Sequence, residues 1–165
     1  MPRAAFSIHT VCHGNICRSP MAATVLRQQL HDADLAVRVD VASSGVSAEE
    51  RGNPIDARAA RALQRRGYRV DGTHRAHRIT DSELREVDLI VPATYWQMEE
   101  LIRRGADPTR VRLMRWFDPA LAGMRPSRRM DLEDPWYGGA EDFEIALDQI
   151  EAAAPGVVEY VRGLV

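Results

Sequence analysis

The hydrophobic rhythm of the chain changes repeatedly between strand and helix periods. Phe6 to Val11 is a short apolar run that predicts a buried strand. From Met21 to about Ala33, the residues Ala22, Val25, Leu26 and Leu30 are spaced for one buried helical face. Ala36 to Ser43 alternates, with Val37, Val39 and Val41 set against Arg38 and Asp40, which predicts a half-buried strand at a sheet edge. Asp56 to Arg66 predicts a short helix with Asp56 as N-cap, Ala59, Ala60 and Leu63 facing inward, and Gly67 as its stop. Its arginines, Arg58, Arg61, Arg65 and Arg66, read as a solvated face. A helical turn begins near Thr80, and Val87 to Val91 is a continuous apolar run of the kind found in parallel sheets buried on both faces. Tyr95 to Arg104 is helical and ends at Gly105, and Val111 to Met114 predicts a last strand. A long irregular stretch then leads to a final helix at about Glu141 to Gly163, with a kink expected at Pro155-Gly156.

Four alternations of strand and helix predict an α/β fold. The expectation is a single domain over residues 1–165, with a four-stranded parallel sheet flanked by helices on both faces. In open sheets of this kind ligands bind beyond the carboxyl ends of the strands. The turn after the first strand is therefore the place to look for chemistry.

Composition narrows the classes of function. With 22 basic and 24 acidic residues the net charge is −2, so no global field points to nucleic acid or to a membrane surface. Every basic residue other than histidine is arginine. No stretch approaches the ~20 apolar residues of a spanning helix. The N-terminus has no apolar core of signal-peptide length, so a cytoplasmic protein is expected. The two cysteines, Cys12 and Cys17, lie within one turn and cannot staple a fold. Together with His9 and His13 they are the only metal-ligand cluster, and four ligands on one strand and turn make a poor cage. No metal and no cofactor are expected.

The turn itself reads Val11-Cys12-His13-Gly14-Asn15-Ile16-Cys17-Arg18-Ser19-Pro20. A turn between a strand and a helix aims backbone N–H groups into one concavity, and the helix dipole adds positive potential. A thiol at a helix N-terminus beside an arginine loses its proton readily, which makes Cys12 a candidate nucleophile. Arg18 offers a planar fork of donors that matches two oxygens of a phosphate. Gly14 allows close approach or positive φ, and Asn15 tolerates left-handed geometry and can brace the loop. Ser19 is placed to cap the helix, with Pro20 at its first position. The Ser19 hydroxyl can also donate to the thiolate and help it leave from a cysteinyl-phosphate. The stretch is no Walker loop, because the Gly-Lys-Ser/Thr core is missing. Cys17 next to a reactive thiolate could trap it as a reversible disulfide.

The string Val-Cys-x-Gly-Asn-Ile-Cys-Arg-Ser-Pro resembles the signature of the low-molecular-weight protein tyrosine phosphatases. Asp134-Pro135-Trp136-Tyr137-Gly138 resembles the family's Asp-Pro-aromatic-Tyr-Gly loop. Ser43-Ser44-Gly45, Gly52-Asn53-Pro54 and His74-Arg75-Ala76 lie where similar family segments lie, so the resemblance covers nearly the whole chain. It implies hydrolysis of phosphotyrosine monoesters in protein substrates, with inorganic phosphate as product, by a monomer. It implies Cys12 as nucleophile, Arg18 as phosphate ligand and Asp134 as general acid and then base. His13, Gly14, Asn15, Ile16, Cys17 and Ser19 complete the phosphate-binding loop, Asn15, Ser43 and His74 form a hydrogen-bonded support set, and Trp136 and Tyr137 line the cleft. Asp131 and Glu133 are nearby alternatives to Asp134.

Two departures from the family pattern stand out. Glu49 takes the place of an aromatic cleft wall, either as a cleft residue or as a solvated loop charge. Pro92-Ala93-Thr94 replaces an Ala-Met-Asp, removing an aspartate expected to support His74. Ile16 stands where related phosphoarginine phosphatases carry threonine, which favours phosphotyrosine. A thiol-dependent arsenate reductase needs further cysteines, and none follows Cys17. A silent phosphopeptide-binding module is the remaining alternative, although Cys12, Arg18 and Asp134 are all present.

Overall fold

The computed structural model describes residues 4–165. Strand β1, Phe6–Cys12, is central. It pairs in parallel with β2, Val39–Gly45, on one side and with β3, Leu89–Pro92, on the other, giving the order β2-β1-β3. The parallel α/β architecture agrees with the sequence expectation, but the sheet has three strands instead of four. Val111 touches Ile90 in a single parallel bridge, between 3₁₀ turns at Pro108–Arg110 and Met114–Phe117. Those turns bend the chain away on either side, so the short run cannot extend into a ladder. The segment Ala36 to Ser43 also shifts: Val37 is 87% exposed in a turn and the strand begins at Val39, although β2 does form a sheet edge.

Helices cover both faces. On one side α1 (Arg18–Asp32), α2 (Ala57–Arg65) and α5 (Ala140–Arg162) bury Met21, Val25, Leu26, Leu63, Phe143, Leu147 and Ile150 against Ile8 and Leu89. On the other side α3 (Asp81–Glu86) and α4 (Tyr95–Arg103) close Leu84 and Leu101 over Val11 and Ile90. Capping chemistry sets several boundaries. Asp56 accepts from Arg58 N–H at the start of α2, and Thr80 and Thr94 form reciprocal capping boxes with Glu83 and Gln97. Gly67 and Gly105 take positive φ just beyond α2 and α4, as helix-stop glycines do.

Helix α5 runs through Pro155 without interruption. Pro155 is on the solvent side, and Gly156 lets the Phe117 carbonyl approach a helix surface that a Cβ would block. No described helix is long and apolar enough to cross a membrane.

Candidate active site

The loop from His13 to Cys17 leaves the carboxyl end of β1 and enters α1. The helix starts at Arg18, earlier than the sequence suggests, and Cys17 is its N-cap without a side-chain cap bond. Ser19 therefore does not cap. Its hydroxyl is turned to the thiol instead, with Cys12 Sγ to Ser19 Oγ at 3.0 Å. Pro20 sits in the first turn, where its missing N–H costs no helical bond.

Backbone donors define the concavity. Among the described residues, no N–H of His13, Gly14, Asn15, Ile16, Cys17 or Arg18 donates a hydrogen bond to a protein acceptor. Most of this loop is buried, and Cys12 is only 3% exposed. Buried backbone donors are nearly always paired, so a row of free ones at a helix N-terminus suits an anion.

The loop is braced from behind by Asn15, the only non-glycine residue besides Asp34 with positive φ among the described residues, at 63°. Gly14, which the sequence offered for close approach or positive φ, does not take positive φ; a Cβ there would approach Glu50 Cγ to 3.0 Å, a contact that side chain would have to relieve. Asn15 Nδ2 donates to Ser19 Oγ and Ser43 Oγ, both at 2.9 Å, while its Oδ1 accepts from His77 N–H at 3.1 Å. His74 Nε2 lies 2.9 Å from the Asn15 carbonyl. Burial pushes His74 below the ordinary histidine range, against the pull of that carbonyl. Asn15, Ser43 and His74 are thus brought together. Thr94 caps α4 and is no partner of His74; the carboxylate that acts on His74 electrostatically is Asp71. Gly45 closes the back of the brace, because a Cβ there would lie 2.6 Å from the His13 carbonyl.

The cleft above Cys12 holds about 280 Å³ and is lined by Cys12, His13, Gly14, Ile16, Cys17, Arg18, Glu49, Glu50, Asp134, Trp136 and Tyr137. Arg18 is buried, donates from Nη1 to the Leu132 carbonyl at 3.3 Å, and holds Nη2 3.5 Å from Asp134 Oδ2. Glu49 is in the cleft wall, with Oε1 2.7 Å from His13 Nε2. Trp136 and Tyr137 line the same cleft and stand open to solvent. Cys17 is a free thiol beside the floor, and burial, then the neighbouring Asp56 carboxylate, push it well above the ordinary thiol range. Asp131 is turned away and caps the Tyr95 N–H, and the Glu133 N–H is held by Gln149.

Three contributors escaped the sequence reading. His77 supplies the backbone donor to Asn15 and also pairs with Glu83. Arg58 and Arg66 are no solvated face. Arg66 is bound to Glu144, Asp148 and Glu151 of α5, and Arg58 reaches the Asp134 loop. Their partners lie 78 or more residues away in the chain, beyond any local signal.

A thiol at the floor of an anion-binding turn, with a carboxyl group at the rim, can do covalent chemistry on a tetrahedral oxyanion. The family model for low molecular weight phosphotyrosine protein phosphatase matches residues 7–163. The chain is 38% identical over 155 residues to a low molecular weight protein-tyrosine-phosphatase of Streptomyces coelicolor, covering 92% of this chain and 91% of that one. It is 39% identical over 151 residues to low molecular weight protein-tyrosine phosphatase A of Mycobacterium tuberculosis, covering 92% and 88%. A crystal structure of a protein tyrosine phosphatase from Entamoeba histolytica shares the fold, with a TM-score of 0.85 at 24% identity, over 96% of this chain and 97% of that one. The chain belongs to the low molecular weight phosphotyrosine protein phosphatase family.

Proposed function

We propose that the protein hydrolyses phosphotyrosine in protein substrates through a cysteinyl-phosphate. The observation that carries this reading is the row of free N–H donors wrapped around Cys12 with the Arg18 guanidinium beside it. The phosphate dianion binds to those donors and to Arg18, in a site already braced for it, so little reorganisation accompanies the reaction. Cys12 Sγ attacks phosphorus in line, and the bond to the tyrosyl oxygen breaks. Asp134 gives its proton to the departing phenolate. The Ser19 hydroxyl, 3.0 Å from Sγ, stabilises the sulfur as an anion before attack and as a leaving group afterwards. In the second step Asp134 takes a proton from water, the oxygen attacks phosphorus, and inorganic phosphate leaves with Cys12 restored as thiolate. Acid–base help of this kind is worth roughly 10²–10⁴-fold.

Depth selects the ester. Buried Cys12 and exposed Trp136 and Tyr137 line one cleft, an arrangement that favours a long aryl ester over a short seryl one. Ile16 lines the same floor with an apolar side chain, which favours a phenyl ring over the guanidinium of phosphoarginine.

The test is turnover of phosphotyrosine, phosphoserine and phosphoarginine peptides by the protein and by Cys12→Ser. Turnover of the tyrosyl peptide alone, absent in Cys12→Ser while phosphate still binds, is the expected result. Turnover chiefly of phosphoarginine, or phosphopeptide binding without turnover of any peptide, would overturn it.

A further inference from the structure

The loop that carries Asp134 is exposed, from Glu133 to Gly139, apart from Pro135. Its beginning is anchored, with the Leu132 N–H on the Ala93 carbonyl and the Leu132 carbonyl on Arg18. Its end is anchored by the Gly139 N–H on Asp142 at the start of α5. Between those anchors Gln149 accepts from the Glu133 N–H at the start of the loop and Arg18 lies 3.5 Å from the Asp134 carboxylate, while the far half, Trp136 to Gly138, is held from elsewhere in the fold by Arg58.

Arg58 stands in the first turn of α2. Its Nη1 donates to the carbonyls of Trp136 and Gly138, at 3.2 and 3.3 Å. Its guanidinium is fixed from behind by Asp56, with Nε to Oδ1 and Nη2 to Oδ2 both at 3.1 Å. It also lies over two rings: the guanidinium carbon is 5.4 Å from the Trp136 centroid and 4.8 Å from that of Phe143. Phe143 is fully buried in α5, so the cation rests on a rigid floor. Trp136, whose carbonyl Arg58 holds, donates its N–H to Asp134 Oδ1 at 3.1 Å. A chain of direct contacts therefore runs from the core through Arg58 and Trp136 to the carboxyl group at the cleft rim.

We infer that Arg58 is a positioning residue for Asp134, holding the loop so that the carboxyl group faces the leaving oxygen; this rests on Asp134 acting as the general acid. A loose loop would leave Cys12, Arg18 and the N–H cradle intact, because none of them depends on Arg58. Only the steps that need Asp134 in place would slow. Lysine is a poor substitute, since a single ammonium cannot hold Asp56 bidentately, reach two carbonyls and contact two rings at once.

The experiment measures kcat/KM and the single-turnover rate of enzyme phosphorylation for Arg58→Ala, Arg58→Lys, Asp134→Asn and the Arg58→Ala/Asp134→Asn double variant. The substrates are aryl phosphates graded from activated to poor leaving groups. Arg58→Ala should lose about 10- to 100-fold with poor leaving groups, the penalty of a misplaced acid, and little with activated ones. Arg58→Lys should fall between the protein and Arg58→Ala. In the Asp134→Asn background Arg58→Ala should cost nothing further. Inorganic phosphate should bind Arg58→Ala and Arg58→Lys as it binds the unsubstituted protein, which shows that the loop around Cys12 is folded. Equal slowing across leaving groups, or losses that multiply in the double variant, would overturn the inference and leave Arg58 a structural residue. If the unsubstituted protein turns over no aryl phosphate, the proposed function itself fails and the variants are not needed to show it.

Discussion

Asn15 joins a left-handed backbone to three side-chain hydrogen bonds at one buried position, and substituting it separates the two contributions. Asn15→Ala deletes three side-chain hydrogen bonds, to Ser19 Oγ, Ser43 Oγ and His77 N–H. Each is worth about 1 kcal/mol net, and the His77 N–H and Ser43 hydroxyl are left behind without that partner. Alanine must also occupy φ 63°, a region asparagine tolerates better by about 1 kcal/mol. The sum is about 3–5 kcal/mol. For a chain of this size each kcal/mol moves Tm by about 2–4 °C, so a fall of roughly 6–20 °C is expected. Asn15→Gly loses the same bonds but accepts the positive φ, so it should be less destabilised than Asn15→Ala by about 1 kcal/mol. Guanidinium denaturation of the protein and both variants, alongside phosphate affinity, gives the numbers. Both variants should bind phosphate more weakly, because the N–H cradle loses its brace. A loss under about 1 kcal/mol for Asn15→Ala, or a glycine variant no better than alanine, would refute the account of Asn15 as both brace and left-handed pivot.

Stability should fall on acidification below neutrality. Burial holds His74 and His9 below the ordinary histidine value near ~6.5. Unfolding therefore takes up protons below that pH, the full stability is present above it, and it is lost as pH falls toward the lowered folded values. Urea denaturation at pH 7.5 and 5.5 should show the drop, and His74→Asn should lessen it; equal stability at both would contradict the burial argument. Glu49→Trp should add an aromatic wall to the cleft that Trp136 also lines. An aromatic contact is worth about 0.5–1.5 kcal/mol, so KM for aryl phosphates should fall roughly 2- to 10-fold, and an unchanged KM would place Glu49 outside the working cleft.

Local signals in the chain were enough to place β1, the loop and α1, because strand, thiol, glycine, asparagine and arginine stand in one short stretch. The same holds for Asp56, Thr80 and Gly67, whose roles depend only on neighbours two or three residues away. Val111 misled because an apolar run looks the same whether it extends into a ladder or makes one bridge; the 3₁₀ turns on either side decide that. Ser19 misled because a serine before proline reads as a cap until the thiol that claims its hydroxyl is in place. Arg58 and His77 were invisible for a different reason. An arginine on a helix face rich in arginine carries no mark of the distant carbonyls it will meet.

Arg18 ties the first helix to a carbonyl 114 positions further along the chain. A polypeptide emerging from the ribosome thus presents the complete loop sequence long before Leu132 and α5 exist to hold it. Turnover should be among the last properties to appear, both during synthesis and in refolding, after the sheet has formed and its near-ultraviolet signals have begun to recover. Activity then reports closure of the whole chain, and a C-terminally truncated product should stay silent even with every residue of the loop intact.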